Sequence, residues 1–203
     1  MLLPHDSPLF TQVANLSLER SFLHSMRIPT AFVFVTLFLG TAAILRAQGA
    51  EWSLVNWKVR HDFPRVPRIE TSELEKWLRD GRREKPVLLD VRTQAEYDVS
   101  HIQGAQRIEP GSDAGRLNAS KTRPIVTYCS VGYRSAAVAQ KLQEAGFTHV
   151  QNMAGSIFDW ANKGYPIEQN GHPVRKVHPY NALWGKLLKK ELRAELPPAG
   201  PGM

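Results

Sequence analysis

Between residues 67 and 167, hydrophobic positions form short apolar runs that alternate with stretches of helical spacing. Short apolar runs bounded by turn residues are typical of buried strands, and apolar residues three and four apart are typical of helices. The pattern predicts strands at 68–70, 87–89, 106–108, 125–128 and 149–152. It predicts helices at 71–78, capped by Thr71, and at 95–98, 133–145 and 156–162. Because the two kinds of element alternate, we expect an α/β fold with a parallel sheet and helices on both faces.

The segments on either side of this domain, taken as residues 67–169, carry other patterns. Residues 51–66 contain Trp52, Trp57 and Pro64 and are predicted to form a linker whose tryptophans pack on the domain. Residues 170–203 form a C-terminal extension, and within it residues 179–195 are predicted to be an amphipathic helix. The favoured interpretation is a helix packed on the domain, and the alternative is a basic helix lying on a membrane surface. The apolar positions of this predicted helix are Leu183, Trp184, Leu187, Leu188 and Leu192.

Residues 28–45 are 18 consecutive residues without a charge. Counted from Met26, a basic start, an apolar stretch and small residues after Arg46 follow the layout of a secretory signal peptide, with residues 1–25 upstream of the true start. The alternative is an uncleaved membrane anchor, for which 18 residues suffice. Arg20 and Arg27 favour a cytoplasmic N-terminal side. Either way, residues 1–50 act as signal or anchor, and the domain is predicted to lie outside the cytoplasm in a periplasm-like space.

Composition narrows the function classes. A chain of 203 residues with 42% hydrophobic and 22% charged residues can fold as one domain with extensions. The net charge of +7 favours small anions, and no basic motif interleaved with aromatic residues points to nucleic acid. His172 and His178 are the nearest approach to a metal motif, but no cysteine accompanies them, so no metal or other cofactor is expected.

The only cysteine, Cys129, opens a loop with the sequence CSVGYRS (129–135) between a predicted strand and a predicted helix. Amides of the turn and of the helix N-terminus favour the anionic form of a thiol placed there and lower its pKa. Gly132 suits a backbone with φ > 0. We therefore expect a nucleophilic thiolate rather than a buried, inert thiol.

Several motifs in order resemble the rhodanese (sulfurtransferase) family over residues 67–167. They are VLLDVR (87–92), AEY (95–97), HIQGA (101–105), CSVGYRS (129–135), AGF (145–147) and AGSIFDW (154–160). The resemblance implies a rhodanese-like parallel sheet and a loop that holds a cysteine persulfide. Phosphatases of related fold have a loop one residue longer, so the short loop disfavours phosphatase or arsenate reductase activity.

The implied reaction moves sulfane sulfur from a thiosulfate-like anionic donor to a thiol or cyanide through Cys129. Its binding loop would be Ser130, Val131, Gly132, Tyr133, Arg134 and Ser135. Many thiosulfate-using relatives carry a cation directly after the cysteine, where this chain has Ser130, so the physiological donor stays open. The alternative is a sulfur-binding or protein-interaction module with little turnover.

Three further residues, Asp90, Arg92 and His101, are candidates for supporting roles. Asp90 and Arg92 end the second predicted strand and are expected to form a structural ion pair or a cap beside the loop. His101 is expected to make a structural hydrogen bond. Arg134 leaves two interpretations open, a bidentate contact to an anionic donor or a tie to a neighbouring carboxylate.

Overall fold

The computed structural model describes residues 49–109, 111 and 117–195 of the chain. The predicted signal or anchor, residues 28–45, lies outside them. None of the helices among these described residues is long and apolar enough to cross a bilayer.

Five parallel strands form one sheet in the order β1-β5-β4-β2-β3. They are β1 (Arg68–Ile69), β2 (Val87–Asp90), β3 (Gln106–Arg107), β4 (Ile125–Tyr128) and β5 (Val150–Met153). All four residues of β4 are buried, because this strand lies in the middle of the sheet and is covered on both sides. The predicted parallel sheet is confirmed, with strand ends that differ by one or two residues.

Helices cover both faces of this sheet, as predicted. The first helix, α1, covers residues 49–62. The others are α2 (Thr71–Arg79), α3 (Gln94–Val99), α4 (Tyr133–Glu144) and α5 (Ser156–Asn162). Side chains of β4 alternate between the faces: Ile125 packs with Leu142 beneath α4, whereas Val126 packs with Phe158 on the face that carries α2 and α5. The two-residue period of a strand thus supplies both apolar cores.

The predicted linker is wrong in its conformation, because residues 49–62 are helical. Trp52 and Val55 pack on the core, and Val59 is buried. These three positions have the spacing of one helix face, which provides the stabilisation that a short isolated helix lacks. Thr71 does not cap α2 either: Glu70 occupies the N-cap position, and the Thr71 hydroxyl instead donates to Asp159 Oδ2 at 2.5 Å.

The predicted C-terminal amphipathic helix is also wrong. The alternative of a basic helix on a membrane surface therefore has no helix to rest on. Two short 3₁₀ turns, Trp184–Leu187 and Lys190–Leu192, take its place. The side chain of Asn162 prevents a continuous helix between the two turns, because it donates to the Leu187 carbonyl at 2.8 Å and accepts from the Lys189 amide at 2.9 Å. Leu187, Leu188 and Leu192 are nevertheless buried. The apolar pattern therefore predicted the burial of these three leucines correctly, but not their secondary structure.

A small antiparallel hairpin, absent from the sequence prediction, follows the sheet. Its strands are β6 (Ile167–Gln169) and β7 (His172–Val174). His101 forms a bridge to Glu168 beside it, and the His101 ring stacks on Tyr97 with centroids 3.8 Å apart. The His101 Nδ1 lies 3.1 Å from the Tyr97 carbonyl, which is the structural contact expected of this histidine.

Candidate active site

The loop that holds Cys129 begins where β4 ends, at the carboxyl edge of the sheet. In parallel α/β sheets this edge is where ligands bind. Cys129 is the first residue after β4, and α4 begins four residues later at Tyr133. Gly132 between them has φ of 106°, a left-handed conformation that confirms the expectation for this glycine. The turn therefore brings the N-terminus of α4 back over the cysteine.

The carbonyls of the loop point away from the cysteine side chain because other elements hold them. The Ile157 and Phe158 amides of α5 donate to the carbonyls of Cys129 and Ser130, each at 3.1 Å. In a trans peptide the next N–H points opposite to the carbonyl. The amides of Ser130 and Val131 therefore point away from α5, and the next amide of the loop, that of Gly132, lies 3.1 Å from Sγ.

A buried polar cluster behind the loop fixes this arrangement. Asn152 on β5 donates through Nδ2 to the Gly132 carbonyl at 2.9 Å and accepts from Ser135 Oγ at 2.6 Å. Ser156 accepts from the Cys129 amide at 3.1 Å and donates to the Met153 carbonyl at 3.1 Å. Ser156 has φ of 50°, so its backbone is strained at the point where its side chain holds the Cys129 amide. Asn152 and Ser156 are site residues that the sequence analysis missed.

The thiol of Cys129 has a lowered pKa. Burial alone raises the pKa, but the positive charge of Arg134, hydrogen bonds from Ser135 and the Gly132 amide more than offset that effect. The Gly132 nitrogen lies 3.1 Å from Sγ. Cys129 is only 1% exposed, yet it lines a cavity open to the surface, so the thiolate is shielded but reachable.

Arg134 is tied to a neighbouring carboxylate, which is one of the two interpretations left open above. Its Nη1 and Nη2 donate to the two oxygens of Glu96 at 2.9 and 2.7 Å, and Ser130 Oγ donates to Glu96 Oε1 at 2.9 Å. Burial alone would raise the pKa of Glu96, but the pair with Arg134, aided by Thr93 and Ser130, lowers it to about 2. The same carboxylate closes a capping box with Thr93 at the start of α3.

Asp90 and Arg92 form a buried ion pair beside the loop. Arg92 Nη2 lies 2.6 Å from Asp90 Oδ2, and both side chains are completely buried. Arg92 Nη2 also donates to the Ser100 carbonyl at 2.6 Å, which fixes the end of α3 against β2. These contacts are structural, and neither side chain lines the cavity above Cys129.

The cavity above Cys129 has a volume of about 340 Å³. Its floor is the loop from Cys129 to Arg134, whereas its walls come from α1 and from the C-terminal segment. The Tyr133 hydroxyl, which donates to Asp62 Oδ2 at 2.8 Å, links the loop to α1. The Tyr180 ring lies 4.7 Å from the guanidinium of Arg134 and links it to the C-terminal segment. The wall residues are Val55, Lys58, Tyr180 and Trp184.

The structure thus brings together all of the predicted loop residues, and it adds Glu96, Asn152 and Ser156. Glu96 belongs to the AEY motif, and its spacing three residues after Thr93 is a capping signal that the sequence alone shows. Its ion pair with Arg134 could not be predicted from the sequence, because the two residues are 38 positions apart. Among residues 49–109, 111 and 117–195, no group of three or more His, Cys, Asp or Glu side chains is placed to hold a metal ion. The metal-free mechanism stays a prediction.

A cysteine loop at the carboxyl edge of a five-stranded parallel sheet defines a class of α/β domain, and sequence comparison identifies its family. The family model of the rhodanese-like domain matches residues 70–163. The thiosulfate sulfurtransferase GlpE of Coxiella burnetii is 34% identical over 92 residues, which cover 45% of this chain and 85% of GlpE. The chain therefore belongs to the rhodanese-like family.

Two other matches agree with this assignment. The probable adenylyltransferase/sulfurtransferase MoeZ of Mycobacterium tuberculosis is 38% identical over 101 residues, 48% of this chain but 25% of MoeZ. The chain thus spans about a quarter of that relative. A thiosulfate sulfurtransferase structure from Pseudomonas aeruginosa has a TM-score of 0.50 at 22% identity and covers 60% of this chain and 23% of that one, a likeness of fold.

Proposed function

We propose that this protein is a sulfurtransferase that carries sulfane sulfur on Cys129 as a persulfide. The observation that carries the proposal is a shielded thiol that lines a cavity, with the Gly132 amide 3.1 Å from its Sγ and with a lowered pKa. Relatives named as sulfurtransferases support the same reaction class. The net charge of +7 favours the approach of anionic donors such as thiosulfate.

The reaction has two displacements. The Cys129 thiolate attacks the outer sulfur of the donor, a new S–S bond forms, and the old S–S bond breaks with its electron pair leaving on the donor remainder, which is sulfite for thiosulfate. An acceptor thiolate or cyanide then attacks the outer sulfur of the persulfide. The electron pair of the broken bond returns to Sγ, which restores the Cys129 thiolate without an added oxidant or reductant.

The loop supports both displacements through its amides. The persulfide places negative charge on the outer sulfur, where amide donors fixed before the reaction stabilise it without reorganisation. Arg134 acts through its charge, because both arms of its guanidinium are occupied by Glu96. Ser130 supports Arg134 in turn, since Arg134 Nη2 donates to its hydroxyl at 3.0 Å.

The test is to incubate the full chain with thiosulfate, then measure the intact mass with and without cyanide and the thiocyanate released. We expect one added sulfur atom on Cys129, discharged by cyanide. The variant Cys129→Ser should neither gain sulfur nor turn over while keeping its melting temperature. Appreciable thiocyanate from Cys129→Ser would overturn the mechanism. If thiosulfate adds no sulfur, polysulfide and mercaptopyruvate are the next donors to try.

A second candidate is a sulfur-binding or interaction module with slow turnover. The occupation of Arg134 by Glu96, together with Ser130 in the place of a cation, favours it, because a sulfite leaving group then finds no unpaired cation in the loop. Stoichiometric persulfide formation with negligible thiocyanate release and co-purification of a partner would favour this candidate. Many turnovers per Cys129 would exclude it.

We also propose that the domain works outside the cytoplasm, on the strength of residues 28–45 and the arginines before them. A reporter enzyme that is active only after export, fused behind residue 50, tests this. Activity of the fusion supports export, and the mass of the mature chain separates a cleaved signal from a retained anchor. A fusion without activity would overturn the proposal.

A further inference from the structure

The walls of the cavity above Cys129 are built outside the part of the chain that matches the rhodanese-like domain. That match covers residues 70–163, whereas Val55 and Lys58 belong to α1 and Tyr180 and Trp184 to the C-terminal segment. The loop at the floor supplies the reactive sulfur. The groups beside that sulfur therefore come from two segments outside the matched domain.

Apart from Lys58, these walls are apolar and aromatic. Val55, Tyr180 and Trp184 face the cavity together with Val131 and Tyr133 of the loop. The two cations at its edge are both compensated, since Lys58 Nζ lies 2.8 Å from Asp62 Oδ2 and Arg134 is paired with Glu96. An ion entering the cavity would lose water without gaining an unpaired cation, whereas apolar groups are stabilised there.

The size of the cavity agrees with an organic molecule. Cavities of about 300 Å³ and above hold ligands of many heavy atoms, and this one has about 340 Å³. With cyanide or another small acceptor bound, most of the cavity would still be filled by water. A body that fills it would bury apolar surface against Val55 and Trp184 while its reactive atom reaches the loop.

We propose that the sulfur acceptor is a thiol with an apolar body, aromatic or branched alkyl, which the cavity selects over small or hydrophilic thiols. This rests on the proposed function, because it names the acceptor of the Cys129 persulfide. The acceptor thiolate attacks the outer sulfur, the bond between that sulfur and Sγ breaks with its electron pair on Sγ, and the product is an organic persulfide. The acceptor thiol releases its proton to solvent.

The experiment measures single turnovers of the full chain, loaded with one sulfur by thiosulfate or by inorganic polysulfide. Loss of the added mass is followed with phenylmethanethiol, with 2-mercaptoethanol, whose thiol has similar acidity, and with cyanide. We expect the rate constant per molar acceptor to be about ten-fold or more higher for phenylmethanethiol than for 2-mercaptoethanol, the scale of discrimination by an apolar pocket. Equal constants would overturn the proposal.

Paired tryptophan variants locate the selectivity. Trp184→Ala removes a wall of the cavity, and Trp57→Ala makes the same change on an exposed side chain that does not line it. We expect Trp184→Ala to lower the ratio of the constant for phenylmethanethiol to that for cyanide about ten-fold. Trp57→Ala should change neither constant. A parallel loss with cyanide and phenylmethanethiol would assign Trp184 a structural role and contradict the proposal.

A second variant covers the case in which Trp184→Ala does not fold, since Trp184 also packs on the core. Val55→Thr replaces a methyl group by a hydroxyl of similar size, so it changes the polarity of the wall more than its shape. A fall of a few-fold in the same ratio of constants is expected, and an unchanged ratio would overturn the proposal. Failure of the proposed function is a different result, because then no acceptor, cyanide included, discharges sulfur from Cys129.

Discussion

The floor and the walls of the cavity above Cys129 are built by opposite means. The floor is a buried polar network in which Asn152, Ser156 and Glu96 each hold the loop through hydrogen bonds. The walls are mainly apolar side chains on two segments, which contact the loop through the Tyr133 hydrogen bond to Asp62 and through Tyr180 beside Arg134. The floor fixes the atoms around Cys129 in place, and the walls supply apolar surface to the cavity.

This difference separates reactivity from selectivity. A satisfied polar network in a buried site specifies one geometry, because any change leaves a group unpaired. An apolar wall tolerates changes of shape and polarity at smaller cost, and what it changes is which molecule fits. We therefore expect variants of the floor to alter Cys129 and the fold together, and variants of the walls to alter the choice of acceptor.

The largest effect is expected from Glu96, as a dependence of stability on pH. Its pKa is lowered from 4.5 to about 2 in the folded protein. Stability from this carboxylate is therefore complete above pH 4.5 and is lost as the pH falls towards 2, by about 3 kcal/mol at about 1.4 kcal/mol per pH unit. In Glu96→Gln this part of the pH dependence should be missing.

Urea unfolding of the wild type and of Glu96→Gln at several pH values between 2 and 6 measures this difference. Glu73→Gln, a change of an exposed carboxylate in the first turn of α2, is the matched control and should follow the wild-type curve. If Glu96→Gln loses stability over the same window as the wild type, Glu96 does not carry the ion pair in solution.

Asn152→Ala should have the next largest effect. It leaves the Gly132 carbonyl and the Ser135 hydroxyl without their partner in a buried site, which costs about 2 kcal/mol of unfolding free energy. The loop amides then lose their support, so we expect the rate of sulfur loading to fall about ten-fold or more.

The rate of sulfur loading is measured by intact mass on reactions quenched at successive times, and the free energy of unfolding is measured with urea. Asn118→Ala, at an exposed asparagine, serves as the control and should behave as the wild type. Loss of stability in Asn152→Ala with unchanged loading would mean that the loop geometry does not depend on this network.

Sequence reasoning succeeded for the floor where the signal is local. Residues 125–128 and 156–162 were predicted with the bounds that the structure shows, because each is a compact apolar run with turn or glycine signals beside it. The cysteine loop was equally readable, since its residues adjoin in sequence. Glu96 and Asn152 were missed, because their roles depend on partners on other elements.

The walls were predicted poorly for a physical reason. The leucines at 183–192 have helical spacing, but Asn162 of α5 donates to the Leu187 carbonyl and accepts from the Lys189 amide. These tertiary hydrogen bonds override local propensity and leave two short turns. In residues 49–62 the opposite error arose, because two nearby prolines suggested a linker although one helix face was apolar.

The charge of Arg134 gives a further test of the floor, through the acidity of Cys129. The double variant Glu96→Gln with Arg134→Gln removes both charges while keeping groups that can hydrogen-bond, so no buried charge is left unpaired. Since Arg134 lowers the pKa of the thiol, the midpoint of the pH profile for Cys129 alkylation should move upward. Glu96→Gln alone should move it downward or leave it, and an unchanged midpoint in the double variant would contradict the assigned role of Arg134.

The smallest effect is expected where the floor meets a wall. Tyr133→Phe removes the hydrogen bond to Asp62 and so loosens α1 against the loop without touching Sγ. An exposed contact of this kind contributes little to stability, so the melting temperature and sulfur loading should stay as in the wild type. The discharge by phenylmethanethiol should weaken about two-fold, because the α1 wall is less well placed. Tyr165→Phe, whose ring packs on Trp160, is the matched control and should leave both acceptors unaffected. An equal slowing with cyanide would mean that Tyr133 acts on the persulfide itself and not through the position of the α1 wall.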